Sequence, residues 1–164
     1  EDLDQNNNLQ VFANGSFVFE TRGIHGKVSV EWDYQAPEGA GDTHYSIMRG
    51  TRANLVIRQG EEENYTPTLY VEPVNGNGGD QYEAALQSAI DEISNEYPGL
   101  SLTSTSDGWR VNIPDEHRVG HEAHFAQVTE QYLQYLVDGE IPEWERMNML
   151  TKYYLTTQAY KKSR

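Results

Sequence analysis

Apolar and polar residues alternate along several short stretches in the first half of the chain, a pattern typical of β-strands with one covered face. Residues 43–49 and 52–58 alternate on either side of Gly50 and predict an antiparallel hairpin. Residues 27–34 alternate most regularly, because Val28 and the next two apolar residues at steps of two share one face. We therefore expect residues 27–34 to form a half-buried strand.

Turn-forming residues divide the other predicted strands. Asn14-Gly15 suits the two-residue turn of a β-hairpin, and Ser106-Asp107-Gly108 suits a slightly longer one. The predicted strands that remain are residues 9–12, 16–21, 68–74, 100–105 and 109–113.

The second half of the chain changes to apolar residues at spacings of three and four, which indicates amphipathic helices. The first helix is predicted from Asp80 to about residue 97, the second over residues 119–138 up to Gly139, and the third from Pro142 to the basic end. We therefore expect one α+β domain spanning residues 1–164. Its mostly antiparallel open sheet would have about seven strands, and its roughly three helices would be concentrated in the C-terminal half.

Composition narrows the classes of partner. Twenty-six acidic residues against 12 basic ones give a net charge of −14, which disfavours nucleic acid and anionic membrane surfaces. No apolar run approaches the roughly 18 residues needed to span a bilayer. The acidic start of the sequence also differs from the basic, then apolar, start of a signal peptide. We expect a soluble chain, in either the cytoplasm or the periplasm, and the absence of cysteine does not separate the two.

Polar side chains line the predicted hairpin around Gly50. Tyr45 and Arg49 point to one face of their strand, His44 points to the other, and Asp42 precedes the strand. Such groups on a flat sheet suit a hydroxylated ligand or a second subunit, although an ordinary solvated face would show the same pattern.

Three histidines near the start of the second helix suggest a metal-site alternative. His117, His121 and His124 are spaced by four and three residues, and imidazole is a common zinc ligand. The spacing differs from the zincin motif, and Pro114 makes a helical position for His117 doubtful. We therefore predict no metal site and assign His121 and His124 to substrate contacts, leaving a free-standing metal hydrolase as an alternative.

Two runs resemble a known family. Residues 27–60, KVSVEWDYQAPEGAGDTHYSIMRGTRANLVIRQG, and residues 120–128, GHEAHFAQV, are similar to the C-terminal domain of the glucose-fructose oxidoreductase and inositol dehydrogenase (Gfo/Idh/MocA) family, in a Bacteroidetes-type branch. This resemblance covers nearly the whole chain. It implies an α+β domain that follows an N-terminal Rossmann domain absent from this sequence.

The resemblance also implies how work is divided in the parent protein. The family's nucleotide fingerprint, its Glu-Lys-Pro motif and its Asp-x-x-x-His pair lie upstream of the similar region, and none of the five histidines here has an aspartate four residues before it. We therefore expect no catalytic residue and no cofactor in this chain, and NAD or NADP in the parent.

The partners implied are the missing Rossmann domain, a further copy bound through the open sheet, and a sugar or polyol ligand. The substrate-binding candidates are listed together here: Asp42, His44, Tyr45, Arg49, His121 and His124. A non-catalytic oligomerisation or carbohydrate-binding module is the alternative.

Overall fold

The computed structural model describes residues 3–7, 14–31, 38–74 and 78–163. The chain divides into two compact units, one formed by Glu1–Gln35 with Val128–Arg164 and the other by Ala36–Gln127. The strands are β1 (Gly15–Thr21), β2 (Ile24–Val30), β3 (His44–Arg49), β4 (Ala53–Gln59), β5 (Thr68–Pro73), β6 (Ser101–Ser104) and β7 (Trp109–Asn112). The helices are α1 (Asp80–Ile93), α2 (His121–Asp138) and α3 (Glu143–Lys162).

An α+β fold with three α-helices and seven antiparallel strands is therefore confirmed for the described part of the chain. The strands do not form one sheet, however. β1 and β2 form a two-stranded sheet, and the other strands form a five-stranded sheet in the order β3–β4–β5–β7–β6. The expectation of a single seven-stranded sheet was wrong because strand periodicity does not show which strands pair.

The core of the second unit lies between the five-stranded sheet and α1. Val71 on β5, Val111 on β7 and Ile90 on α1 are each at least nine-tenths buried and form one cluster. Tyr82 and Leu86 on the same helix pack against it. Burial of each such side chain contributes about 1.5–3 kcal/mol, so the predicted helical stripe does anchor α1 to the sheet.

The C-terminal end of this stripe differs from the prediction. α1 ends at Ile93, and Ile93 and Tyr97 are both about half exposed. The predicted helix to residue 97 was therefore too long. After Ile93 the helical pattern gives way to tighter turns, in which the Asn95 N–H donates to the Glu92 carbonyl and the Glu96 N–H to the Ile93 carbonyl.

The hairpin around Gly50 is confirmed, since β3 and β4 pair antiparallel and the Gly50 N–H donates to the Ala53 carbonyl at 3.0 Å. The β6–β7 hairpin is confirmed as well. The β3–β4 hairpin and the β6–β7 hairpin lie on either side of β5. β5 pairs with β4 on one side and with β7 on the other, and so joins the two hairpins into one sheet.

The first unit contains the β1–β2 hairpin, whose turn lies at Arg22-Gly23. Both turn residues have positive φ, 51° and 77°, as a two-residue type I′ turn requires. The predicted turn at Asn14-Gly15 instead lies at the start of β1, and its proposed partner, residues 9–12, falls outside the described residues. Gly23 adopts a positive φ without strain, so it could have indicated the turn. Arg22 could not, because arginine is not typical of a turn position with positive φ.

The strand predicted over residues 27–34 is confirmed for residues 27–30, which lie in β2, but the expected burial of its apolar face is not observed. β2 begins earlier, at Ile24, and Val28 and Val30 are 39% and 54% exposed. Two paired strands cannot by themselves bury one face of their sheet. The alternating apolar side chains of β2 therefore lie on a face that the β1–β2 pair leaves exposed. Residues 32–37 are not among those described.

Helices α2 and α3 follow the predicted positions closely. Gly139, with φ of 73°, comes directly after α2, and Pro142 directly precedes α3. Large apolar side chains remain exposed on both helices, including Phe125 at 69% and Trp144 at 61%. Among the described residues, no helix combines the length and apolar character needed to cross a membrane.

Candidate functional site

The strand register gives the five-stranded sheet one apolar face and one polar face. Val71 on the apolar face lies across from Leu55 on β4 and Trp109 on β7. The opposite face carries Tyr70, which lies across from Val56 and Arg110. α1 packs against the apolar face, and polar side chains from all five strands lie on the other face.

Arg58, Tyr70 and Glu72 form a layered contact on this polar face. The Arg58 guanidinium lies 4.7 Å from the centroid of the Tyr70 ring and forms an ion pair with the Glu72 carboxylate. Val56, which lies across from Tyr70, is fully buried. The contact therefore combines cation–π stacking with charge pairing beside a buried apolar side chain.

Glu63 fixes the other edge of the Tyr70 ring. It ends the short 3₁₀ helix Glu61–Glu63, which follows β4. One carboxylate oxygen accepts a hydrogen bond from the Tyr70 hydroxyl at 3.1 Å, and the other accepts from the Gly60 N–H at 3.1 Å. Glu63 thus ties the loop after β4 to the middle of β5.

These contacts shift two pKa values. Partial burial, then the hydrogen bond to Glu63 and the charge of that carboxylate, raises the pKa of Tyr70 above its ordinary value. Burial by itself would lower the pKa of Arg58, but its hydrogen bond and charge interaction with Glu72 outweigh burial and raise it. Tyr70 is therefore a neutral hydrogen-bond donor and Arg58 a cation throughout the physiological pH range.

The polar network continues across β7 and β6. The Arg110 Nε donates to the Asn112 side-chain oxygen at 3.0 Å, and the Asn112 amide donates to Ser101 at 3.1 Å and Thr103 at 2.9 Å. A cavity of about 380 Å³ opens beside this network, lined in part by Glu63, Tyr70, Arg110 and Arg118. Mixed donors and acceptors in such a space suit a polar, hydroxylated ligand.

The structure divides the residues predicted for the hairpin site. Tyr45 and Arg49 lie on the polar face, across from Arg58 and Asn54 respectively. His44 lies on the opposite face, across from Gln59, and Asp42 lies in the loop before β3. All four side chains belong to exposed residues, but β3 does not bring His44 to the same face as Tyr45 and Arg49.

His121 and His124 lie in the first turn of α2, and both are exposed. His117 lies outside this helix, in the short 3₁₀ helix Asp115–His117. Its Nε2 lies 2.8 Å from the Pro98 carbonyl oxygen, and its ring makes an edge contact with Tyr97. The three imidazoles therefore do not share one helical face, and the residues that the structure describes include no cluster of His, Asp and Glu suited to a metal ion.

Sequence reasoning missed the most connected side chains of the polar face. Glu63 lies outside every predicted strand and helix, and Tyr70 was predicted only as part of the strand over residues 68–74. Their contact joins positions seven residues apart, and the Arg58–Glu72 pair joins positions 14 apart. One available signal was the alternation in residues 68–72, which places Thr68, Tyr70 and Glu72 on one face.

Comparison with known proteins identifies the family. A family model described as "Putative oxidoreductase C terminal domain" matches residues 1–164. The chain belongs to this oxidoreductase C-terminal domain family. A crystal structure described as that of a "putative oxidoreductase" from Parabacteroides merdae is similar, with 51% sequence identity and a TM-score of 0.89. No curated protein matches the chain.

The similar region covers 98% of this chain but only 36% of the Parabacteroides merdae chain. As a member of the oxidoreductase C-terminal domain family, this chain therefore spans about a third of the length of that related protein. The resemblance to an oxidoreductase C-terminal domain is confirmed at this level, whereas the narrower assignment to the Gfo/Idh/MocA family stays a prediction.

Proposed function

We propose that this chain is the substrate-side and assembly domain of an NAD(P)-dependent oxidoreductase of the Gfo/Idh/MocA type, in a Bacteroidetes branch. The observation that carries this proposal is the match of the whole chain to a C-terminal domain family, in a related protein almost three times as long. On this proposal the preceding Rossmann domain binds the cofactor, and this chain alone has no activity.

The geometry of the sheet supports this division of labour. A dinucleotide site is built at the carboxyl ends of parallel strands, with the pyrophosphate at a helix N-terminus. The five-stranded sheet is antiparallel throughout, and the first turn of α1 carries Asp80 and Glu83, whose charges disfavour a phosphate there. The described residues thus do not fit a nicotinamide dinucleotide.

What this chain contributes on our proposal is a surface that holds a sugar or polyol. Tyr45 and Arg49 are exposed on the polar face, and Asp42 lies just before their strand. His44, His121 and His124 are exposed on other parts of the second unit. Hydroxyl, carboxylate, imidazole and guanidinium groups together supply both the donors and the acceptors that sugar hydroxyls need.

The test uses the full-length parent protein and follows nicotinamide reduction with a panel of sugars and polyols. We expect activity in the parent and none in the 164-residue chain. His44→Ala and His121→Ala should raise KM, whereas His25→Ala, an exposed histidine on β2, provides a matched control. Activity of the isolated chain would overturn the division of labour, and unchanged KM in both test variants would remove these histidines from the substrate surface.

A purely structural assembly module is the second candidate, and the exposed apolar side chains of α2 and α3 favour it. Leu136 and Trp144 are 59% and 61% exposed, and Tyr154 on the next turns of α3 is 65% exposed. Apolar surface of this extent is rarely left uncovered in a monomer. If the chain is a structural assembly module, the double variant Trp144→Gln/Tyr154→Gln should self-associate less in sedimentation experiments. The parent protein should then show no nicotinamide reduction with any tested polyol.

A further inference from the structure

The cavity beside Tyr70 contains two arginines whose charges are not paired. Arg110 uses its Nε to contact Asn112, and within the described part of the chain neither Arg110 nor Arg118 forms an ion pair. By contrast, Arg58 on the same sheet face is paired with Glu72. Glu62 and Glu63 line the same cavity, so the two arginines bring its formal charge to zero on a chain whose net charge is −14.

The walls of the cavity are held in place by contacts that do not use the arginines' terminal amino groups. Arg110 is on β7, directly across from Tyr70 on β5, and the Asn112 amide fastens the neighbouring strand β6. Arg118 follows the 3₁₀ helix that the contact between His117 and the Pro98 carbonyl secures, and its own N–H donates to the Asp115 carbonyl at 2.9 Å. Their free donors are thus available to a ligand.

The loop on the opposite rim has an unusual backbone. Asn64 and Tyr65 both have left-handed conformations, with φ of 50° and 56°. Asn64 is the C-cap of the 3₁₀ helix, where a left-handed asparagine is common, whereas a left-handed tyrosine such as Tyr65 stores about 1–3 kcal/mol, and such residues concentrate at ligand-binding segments. The loop is closed by the Tyr65 N–H donating to the Gly60 carbonyl at 2.7 Å, and Tyr65 lies against Gly41, where an added Cβ would come within 2.8 Å. These contacts present Glu62, Asn64 and Thr66 to the cavity.

We propose that this cavity binds a hydroxylated carboxylic acid of the sugar-acid class, with Arg110 and Arg118 holding the carboxylate and Glu62 and Thr66 contacting hydroxyl groups. The guanidinium group of an arginine can donate two parallel N–H hydrogen bonds, which match the two oxygens of a planar carboxylate. The remaining acceptors and hydroxyls match the dual hydrogen-bonding character of a sugar hydroxyl. A volume of about 380 Å³ is within the range of small-ligand sites.

This inference does not rest on the proposed function, since every residue in it belongs to the second unit of this chain. It therefore predicts binding without cofactor or other domains. Glucuronate and glucose are suitable probes because they share a ring and differ in the carboxylate.

Isothermal titration calorimetry with the 164-residue chain tests the site. We expect glucuronate to bind at least about tenfold more tightly than glucose, and Arg110→Gln and Arg118→Gln each to weaken glucuronate binding by about tenfold or more. The matched control is Arg146→Gln, which removes the same charge from α3 and leaves binding unchanged. Added salt weakens glucuronate binding and has little effect on glucose.

Three results would overturn the proposal: no measurable glucuronate binding, equal affinity for the two sugars, or full affinity in both cavity variants. Arg118→Gln keeps the test valid if Arg110→Gln disturbs the sheet, since the Arg118 side chain makes no hydrogen bond to any described residue. Circular dichroism of each variant verifies that the fold is retained.

Discussion

The two hydrogen bonds accepted by Glu63 allow a sharp stability experiment. The carboxylate oxygens accept separately from the Tyr70 hydroxyl and the Gly60 N–H, each at 3.1 Å. Glu63→Gln keeps the size and shape of the side chain but leaves only one acceptor oxygen, so that an amide N–H faces one of the two donors. Both hydrogen bonds therefore lose the charge of their acceptor, and the amide N–H must either face the Gly60 N–H or donate to the Tyr70 hydroxyl oxygen, reversing that hydrogen bond.

The magnitude follows from the partial exposure of the site. A hydrogen bond to a charged group contributes about 1.5–3 kcal/mol when well buried. Glu63 and Tyr70 are only half-buried, so we expect Glu63→Gln to lower the free energy of unfolding by about 1–2 kcal/mol. Urea unfolding followed by tryptophan fluorescence measures this loss, since Trp109 is buried in the same unit.

Glu62→Gln is the matched control because it makes the same chemical change one residue earlier in the 3₁₀ helix. Glu62 is exposed and forms no hydrogen bond to any of the described residues, so its replacement should change stability by less than about 0.5 kcal/mol. Equal effects of the two substitutions would refute the view that Glu63 ties the loop to β5. A loss in Glu63→Gln that is absent from Glu62→Gln supports it.

Three further predictions concern the same unit and its neighbour. Because the pKa of Tyr70 is raised in the folded state, its contribution to stability is complete below the ordinary tyrosine pKa of about 10 and is lost as pH rises above it. The difference in unfolding free energy between the native protein and Tyr70→Phe should therefore be constant below that pH and shrink above it, and a difference that grows there would show the wrong sign. Val71→Ala should cost about 2 kcal/mol in urea unfolding through lost burial and a cavity, whereas Val18→Ala, at a site that is 67% exposed, should cost less than about 0.5 kcal/mol, so equal costs would contradict the assigned core. Gly41→Ala should lower the melting temperature because the new Cβ would overlap the Cβ and Cγ of Tyr65, at a cost of about 1–3 kcal/mol. Tyr65→Gly removes both atoms, so Gly41→Ala should cost less in that background than in the native protein, and an undiminished cost would locate the strain elsewhere.

Local patterns predicted most elements of the fold. The hairpin around Gly50 and helices α1, α2 and α3 were found because their periodicity and terminating residues are encoded within each segment. The β1–β2 turn was missed because Arg22 takes a left-handed conformation that arginine rarely adopts, while Asn14-Gly15 offered the stronger local signal. The division into two sheets was missed because it depends on which strands pair: β1 and β2 pair only with each other, whereas β5 pairs with β7 about 40 residues further along the chain, and no local pattern reports either fact.

The candidate site depended on a different kind of information. Alternation in β3 showed that His44 and Tyr45 point to opposite faces, but it did not show which face α1 covers. That choice is set by register: Tyr45 lies across from Arg58, and Arg58 reaches over Tyr70 to Glu72. A shift of one residue would exchange the two faces of the strand. The polar network is thus a property of the assembled strands, and its central side chains could be named only after their pairing was known.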